Sequence, residues 1–164
     1  MRTRLAATLV AAALAVPAAA VALPAPVSAA TAPCGTLTLA KTHYTHVVWI
    51  WMENHSYGDI IGSPQAPYLN TIASECGLAT NYHNITHPSL PNYIAATSGL
   101  ALSSLKPFDP DCNPTKKCTT SAPSIFGQVS WKAYEESMPS NCDMSNSGEY
   151  AVRHNPPPYY TTLT

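Results

Sequence analysis

One serine of this chain lies in a short segment of residues that could together do chemistry. Ser89 stands between Pro88 and Pro91 in the sequence HPSLPN of residues 87–92. The two prolines fix φ on either side of the serine and stiffen the turn. A helix is predicted to open at Tyr93, so Ser89 is expected just before a helix N-terminus. That position favours an anionic phosphate and the alkoxide of an activated serine.

The hydroxyl of Ser89 needs help before it can act as a nucleophile, because a base or a metal ion must first lower its pKa. His87 is near in sequence, but two side chains separated in this way along an extended segment need not point in the same direction. The alternative is that Ser89 is an ordinary N-cap residue of the helix.

A second polar cluster follows the apolar run of residues 46–52, which is rich in β-branched and aromatic side chains. Such a run predicts a strand buried on both faces, as in a parallel sheet, with a buried helix segment as the alternative. Glu53 and Asn54 come directly after it, where α/β sheets gather their ligands. The Glu53 carboxylate suits a divalent cation, and the Asn54 amide offers a carbonyl or a donor. Alternatively, Asn54 and Ser56 only shape the loop or cap a helix.

The remaining elements predict a doubly wound α/β fold. Residues 57–67 contain glycines and prolines and are predicted to form a loop. Residues 68–76 have helical spacing with Gly77 as a cap, residues 78–82 suit a second strand, and residues 93–98 suit a helix ending at Gly99. The order strand, helix, strand, turn, helix is typical of this fold class.

The N-terminus has the pattern of a secretory signal peptide. Arg2 and Arg4 precede an apolar run over residues 5–23, and small residues follow at 27–30. This order predicts export with cleavage near residue 30, a retained N-terminal anchor being the alternative. No other stretch is apolar enough to cross a membrane. The formal net charge of −1 provides no basic surface for nucleic acid.

Five cysteines lie beyond the predicted cleavage site, and an exported chain uses such residues mainly as disulfide partners. Cys112 and Cys118 are close enough for one bridge to close the loop between them. We expect residues 103–124 to form a long surface loop tied by this bridge. The odd number of cysteines leaves one thiol over.

Three segments together resemble the bacterial phosphoesterase family, which contains acid phosphatases and phosphatidylcholine-type phospholipases C and is related to the alkaline phosphatase superfamily. They are VVWIWMENHS at residues 47–56, HPSLPNY at 87–93 and YAVRHNP at 150–156. The similarity runs from about residue 45 to about residue 160. Each segment alone is a weak signal, but their combination is specific.

The resemblance implies that Ser89 attacks phosphorus and forms a phosphoseryl intermediate that water hydrolyses. It implies that Glu53 and Asn54 help to hold a divalent metal ion of unknown identity, or the phosphate itself. The metal ion and the helix N-terminus would stabilise the charge of the transition state. The implied substrate is a small phosphate ester or a phospholipid.

The same resemblance implies secondary roles near the phosphate for three further residues. His87 would join Ser89 as a catalytic residue, while Asn92 and His154 would bind the substrate. In this family the chain continues further and brings more Asp and His residues to the site. We therefore expect residues 31–164 to be the N-terminal portion of a phosphoesterase domain, with a partial sheet, and to be inactive alone. The alternatives are a secreted, disulfide-tied binding module without catalysis and a degenerate enzyme that binds phosphorylated ligands.

Overall fold

The computed structural model describes Cys34 and residues 44–163, and the chain divides into two compact units, Met1–Leu78 and Ala79–Thr164. The predicted signal peptide at residues 1–30 lies outside the described residues. Within the described part of the chain, no helix has the length and apolar character needed to cross a membrane.

Within its described residues, the first unit contains two helices, α1 (Tyr57–Ile60) and α2 (Pro67–Glu75). Helix α1 lies in the segment predicted to be a loop, and the Asp59 carboxylate stabilises its start by accepting the N–H of Ser56 at 2.8 Å. Helix α2 confirms the helix predicted for residues 68–76, but its C-cap is Cys76, which forms a disulfide with Cys34. The predicted glycine cap is wrong, because Gly77 does not adopt a positive φ.

The side chain of Asn70, the fourth residue of α2, organises the loop before that helix. Its Oδ1 accepts the N–H of Gly62 at 2.6 Å. Its Nδ2 lies 2.9 Å from the carbonyl oxygen of Ile60, 3.1 Å from that of Ser63 and 2.8 Å from that of Ala66. One amide thus provides the acceptor for the N–H of Gly62 and adds a second contact to three carbonyls that each also accept a backbone N–H.

The two predicted strands are not formed in the described part of the chain. Residues 46–52 form no strand and are exposed, with Val47 and Val48 each 83% exposed, so the expected burial is wrong. Residues 78–82 form an exposed turn. An apolar run becomes a buried strand only where neighbouring strands satisfy its backbone groups, and the described residues contain only isolated bridges. The doubly wound sheet therefore stays a prediction.

The second unit is built around helix α3 (Ser89–Ser98). Helix α3 ends as predicted at Gly99, whose φ of 74° lets its N–H bond the carbonyl of Ala95 at 2.7 Å. It begins four residues earlier than the predicted start at Tyr93. The early start is compatible with Pro91 because N–H groups in the first helical turn have no intrahelical acceptor.

Helix α3 packs against a set of short 3₁₀ turns rather than against a sheet. These turns are Leu102–Ser104, Lys106–Phe108, Ile125–Gly127, Val152–His154 and Pro157–Tyr159. The core that they enclose consists of Leu90, Ile94, Ala95, Leu105, Phe108, Cys118, Tyr150, Val152, Tyr159 and Tyr160. Leu90 and Ile94 are four residues apart and therefore lie on one face of α3.

Two buried tyrosines near the C-terminus hold this unit together. The Tyr160 hydroxyl lies 2.6 Å from Oγ1 of Thr97 and 3.1 Å from the carbonyl oxygen of Ile94. The backbone of Tyr160 forms a parallel bridge with Thr120. The Tyr159 hydroxyl donates to the carbonyl oxygen of Cys112 at 2.7 Å. The last described segment is therefore an integral part of the packing of α3.

The disulfide prediction for the long loop is confirmed. Cys112 and Cys118 are bonded, and together with Cys34–Cys76 they leave Cys142 as an exposed thiol. Residues 124–137, where helical spacing is partial, form only the 3₁₀ turn Ile125–Gly127.

Candidate active site

Ser89 is the first residue of helix α3, and its side chain is half-buried. The residue in the N-cap position is Pro88, so the interpretation of Ser89 as an ordinary N-cap does not hold. The peptide bond between His87 and Pro88 is cis. His87 itself is exposed, two residues before the serine.

Asn92 shapes the backbone on which Ser89 stands. Its Oδ1 accepts the N–H groups of Ile85 and Thr86, both at 3.1 Å. Its Nδ2 donates to the carbonyl oxygens of Thr86 at 2.7 Å and Pro88 at 2.9 Å. These four bonds fix the segment that leads into α3. The described contacts of Asn92 are therefore structural, and its contact with substrate stays a prediction.

A carboxylate from a distant loop reaches the start of the Ser89 helix. Oδ1 of Asp111 accepts the N–H of Leu90, the residue after Ser89, at 2.8 Å. Oδ2 of the same carboxylate lies 3.3 Å from Nε of Arg153. Asp111 thus provides the capping interaction that a serine or aspartate in the N-cap position would usually make. It also connects the helix start to the 3₁₀ turn Val152–His154.

His154 lies beside the same helix. Its ring stacks on Tyr93, with ring centroids 5.4 Å apart and an interplanar angle of 26°. Tyr93 is buried and lies four residues after Ser89, about one helical turn further along the same face. The structure therefore brings the Val152–His154 turn to the helix that Ser89 begins, although the two are far apart in sequence.

A cavity of the second unit borders this segment without including Ser89. It has a volume of about 420 Å³ and a mainly apolar lining. Thr86 and Pro91, which flank Ser89 in sequence, contribute to its wall together with the turn Leu102–Ser104 and residues 105–109. A separate polar recess of about 50 Å³ lies between Asp111 and Arg153.

Glu53 and Asn54, the other predicted site residues, belong to the first unit, where both are exposed at the end of the extended run. The peptide bond between them is cis. Among the described residues, no three His, Cys, Asp or Glu side chains are grouped so that they could hold a metal ion. The described residues therefore do not form a complete metal site, and the predicted cation stays a prediction.

Asp111 and Arg153 were missed as site residues. The aspartates match no recognisable motif, and the separation of 42 positions between the two residues hides their contact. The available signal was indirect: Arg153 lies in the segment YAVRHNP, and Asp111 adjoins a cysteine of the predicted bridge. The disulfide at Cys112 fixes the backbone position of Asp111, but the contact between Asp111 and Arg153 is visible only in the fold.

Comparison with known proteins identifies three relatives. The chain is 29% identical over 123 residues to a phosphatidylinositol-3-phosphatase of Mycobacterium tuberculosis, a match covering 74% of this chain and 41% of that protein. It is 27% identical over 128 residues to an acid phosphatase of Aspergillus fumigatus, covering 70% of this chain and 27% of the relative. The chain is related to phosphatases. A phosphate-repressible acid phosphatase of Penicillium chrysogenum is 29% identical over 128 residues, with 70% and 28% covered.

These phosphatase relatives match the part of the chain that holds the candidate site. A continuous match over 70% of 164 residues includes residues 51–114 wherever it begins, and hence Ser89 and Asp111. The chain spans about two fifths or less of the length of each relative. No family model and no solved structure matches the chain. The predicted relation to phosphatases is confirmed at this level, while the bacterial phosphoesterase family and a phospholipase C activity stay predictions.

Proposed function

We propose that this chain belongs to a secreted phosphoric monoester hydrolase in which Ser89 is the nucleophile. The position of Ser89 carries the proposal: it opens a packed helix whose N-terminus is capped by Asp111 rather than by the serine. The names of the three phosphatase relatives favour phosphate esters as substrates. The signal-peptide pattern and the two disulfides support export.

In the proposed reaction, Oγ of Ser89 attacks phosphorus while the bond from phosphorus to the ester oxygen breaks. The hydroxyl proton of Ser89 passes to a base, for which His87 is the predicted candidate, and the base gives this proton to the departing oxygen, so that the group leaves as an alcohol. Water then attacks the phosphoserine. Cleavage of the bond between phosphorus and Oγ releases inorganic phosphate and regenerates the serine.

In the proposed reaction, the described residues hold the nucleophile in a fixed position. Asn92 holds the backbone before the nucleophile through four hydrogen bonds, and the buried face of α3 holds the backbone after it. Fixing a nucleophile in this way lowers the entropic part of the barrier. Glu53 and Asn54 stay predicted ligands of a divalent cation, and no step is assigned to that ion.

The test compares Ser89→Ala with the unchanged protein, using p-nitrophenyl phosphate and the full product of the gene. We expect turnover to fall by about a thousandfold or more, because the nucleophile is removed. Acid quenching during turnover should trap phosphate on the peptide that contains Ser89, which mass spectrometry detects.

Ser98→Ala is the matched control, because Ser98 is the last residue of the same helix and its hydroxyl donates to the Ile94 carbonyl at 2.6 Å. Its turnover should stay within a few-fold of that of the unchanged protein. Undiminished turnover in folded Ser89→Ala, or phosphate trapped on another residue, would refute the assignment of the nucleophile.

A further inference from the structure

We propose that Arg153 binds the phosphate group of the substrate and that Asp111 is the residue that positions it. This proposal rests on the proposed function, since it names a binding group for the same site. It assigns a role to Asp111, which lies in none of the three motif segments, and to Arg153, which lies in the segment of residues 150–156 without a role assigned to it there.

Arg153 differs from the other cationic side chains of the described residues. Those are four lysines, at positions 106, 116, 117 and 132, and all are exposed. Arg153 is half-buried, with its side chain 39% exposed. A partly desolvated guanidinium interacts more strongly with an anion than a surface lysine does, because less water screens its charge.

One carboxylate separates Arg153 from the backbone next to the nucleophile. Asp111 accepts the N–H of Leu90 through Oδ1 and pairs with Nε of Arg153 through Oδ2. A guanidinium carries five N–H bonds, and Nε is the nitrogen that lies 3.3 Å from Oδ2 of Asp111. The remaining four, on Nη1 and Nη2, suit the oxygens of a phosphate, which arginine can bind in a bidentate manner.

The loop that carries Asp111 is fixed from two sides. The next residue, Cys112, is bonded to Cys118, and its carbonyl oxygen accepts the hydroxyl of Tyr159 at 2.7 Å. Burial raises the pKa of the Tyr159 hydroxyl, so the hydroxyl stays protonated and remains a donor. Asp111 therefore has a fixed backbone from which to orient the guanidinium.

Opposite charges in the pair also have a functional consequence. The carboxylate of Asp111 alone would repel a phosphate near the start of α3. Paired with Arg153, it becomes part of a neutral unit whose cationic half can turn its free N–H groups to the substrate. The polar recess of about 50 Å³ between these residues is large enough for one or two water molecules, which an anion would displace or share.

The test measures binding of inorganic phosphate at pH 7 by isothermal titration calorimetry. Arg153→Ala should weaken phosphate binding about tenfold or more, because the charged donors are lost. Arg153→Lys should recover only part of the affinity, since lysine cannot bind in a bidentate manner. Asp111→Asn keeps an oxygen for the Leu90 N–H but loses the charge that orients Arg153, and should weaken binding about three- to tenfold.

Lys132→Ala is the matched control, because it removes the same charge at an exposed position and should leave the phosphate affinity unchanged. Circular dichroism and thermal unfolding establish that each variant is folded. If Arg153→Ala destabilises the protein but binds phosphate like the unchanged protein, the pair is purely structural and the proposal is overturned. Lack of saturable phosphate binding by the unchanged protein overturns it as well.

Turnover separates this proposal from the assignment of Ser89. With p-nitrophenyl phosphate, Arg153→Lys and Asp111→Asn should raise KM more than they lower kcat, whereas Ser89→Ala should abolish kcat and retain phosphate binding. If Ser89 is not the nucleophile, Ser89→Ala keeps its turnover while Arg153→Ala still loses affinity. If Arg153 does not bind phosphate, the opposite combination is observed.

Discussion

Helices α2 and α3 begin in the same way. In each, the fourth residue is an asparagine, Asn70 or Asn92, whose Oδ1 accepts backbone N–H groups and whose Nδ2 donates to backbone carbonyls of the preceding loop. Both helices also have a proline in the first turn, where its missing N–H costs nothing. The sequence thus uses the same local device twice to connect a loop to a helix.

The two helix starts differ in what surrounds them. Helix α2 has no buried residue, whereas six of the ten residues of α3 are buried. At the start of α3, a carboxylate from a distant loop also accepts a backbone N–H of the first turn. An asparagine that fixes the preceding loop is therefore common to both helix starts. The candidate site differs from the start of α2 in its long-range packing and in its charged pair.

The largest expected difference between α3 and α2 is the loss of stability when an apolar side chain of each helix is truncated. Ile94→Ala should lower the free energy of unfolding of the second unit by about 2–5 kcal/mol, because Ile94 is completely buried in the core. Ile72→Ala in α2, at a half-buried position, should cost about 1 kcal/mol or less. Urea unfolding followed by circular dichroism measures both, and equal losses would show that the two helices do not differ in packing as described.

The two asparagines provide a direct test of the shared device. Asn92→Ala and Asn70→Ala should each cost about 2 kcal/mol, because each change removes the acceptor of loop N–H groups, those of Ile85 and Thr86 or that of Gly62. Turnover of p-nitrophenyl phosphate should fall at least tenfold only in Asn92→Ala, where the loop positions the nucleophile. A comparable loss of turnover in Asn70→Ala would contradict the distinction between the two helix starts.

A smaller effect is expected from one hydroxyl. Tyr160→Phe removes the contacts with Thr97 and Ile94 while keeping the buried ring, and should cost about 1–2 kcal/mol. The control is Tyr134→Phe, since Tyr134 is 87% exposed and its change should not alter the melting temperature. A melting temperature for Tyr160→Phe equal to that of the unchanged protein would show that the hydroxyl does not stabilise α3.

The smallest expected effect is a pH dependence of stability in the second unit. Burial raises the pKa of the Glu135 carboxyl from 4.5 to about 7, so the folded state binds this proton more tightly than the unfolded state. The stabilisation by Glu135 is therefore complete below pH 4.5 and is lost as the pH rises through about 7. Thermal unfolding across this range should show a decline that Glu135→Gln reduces and that Glu136→Gln, at an exposed position, retains.

Local features of the fold were predictable from the sequence. The extent of α2, the end of α3 at Gly99 and the Cys112–Cys118 bridge follow from short-range patterns, namely helical spacing, a left-handed glycine and the short distance between two cysteines. The predicted start of α3 was too late, because prolines in the first turn of a helix have the same short-range sequence pattern as prolines in a loop.

Of the residues proposed for the site, Ser89 was predictable from the sequence, whereas the charged pair was not. Ser89 is visible in a compact motif, whereas the contact of Asp111 with Leu90 and Arg153 arises only when three distant segments pack together. The apolar run of residues 46–52 shows a second limit of prediction from sequence. Its composition predicts a buried strand, but composition does not determine whether a neighbouring strand satisfies its backbone groups.

The contact between Tyr160 and Thr97 has a consequence for the order of biosynthesis. These residues are 63 positions apart, so α3 leaves the ribosome well before the segment that packs against it. A chain synthesised only as far as Gly99 contains Ser89 but lacks both the hydroxyl that anchors the helix and the turn that carries Arg153. Because such long-range contacts form late and slowly, the surroundings of Ser89 are assembled only after the segment around Tyr160 has been synthesised.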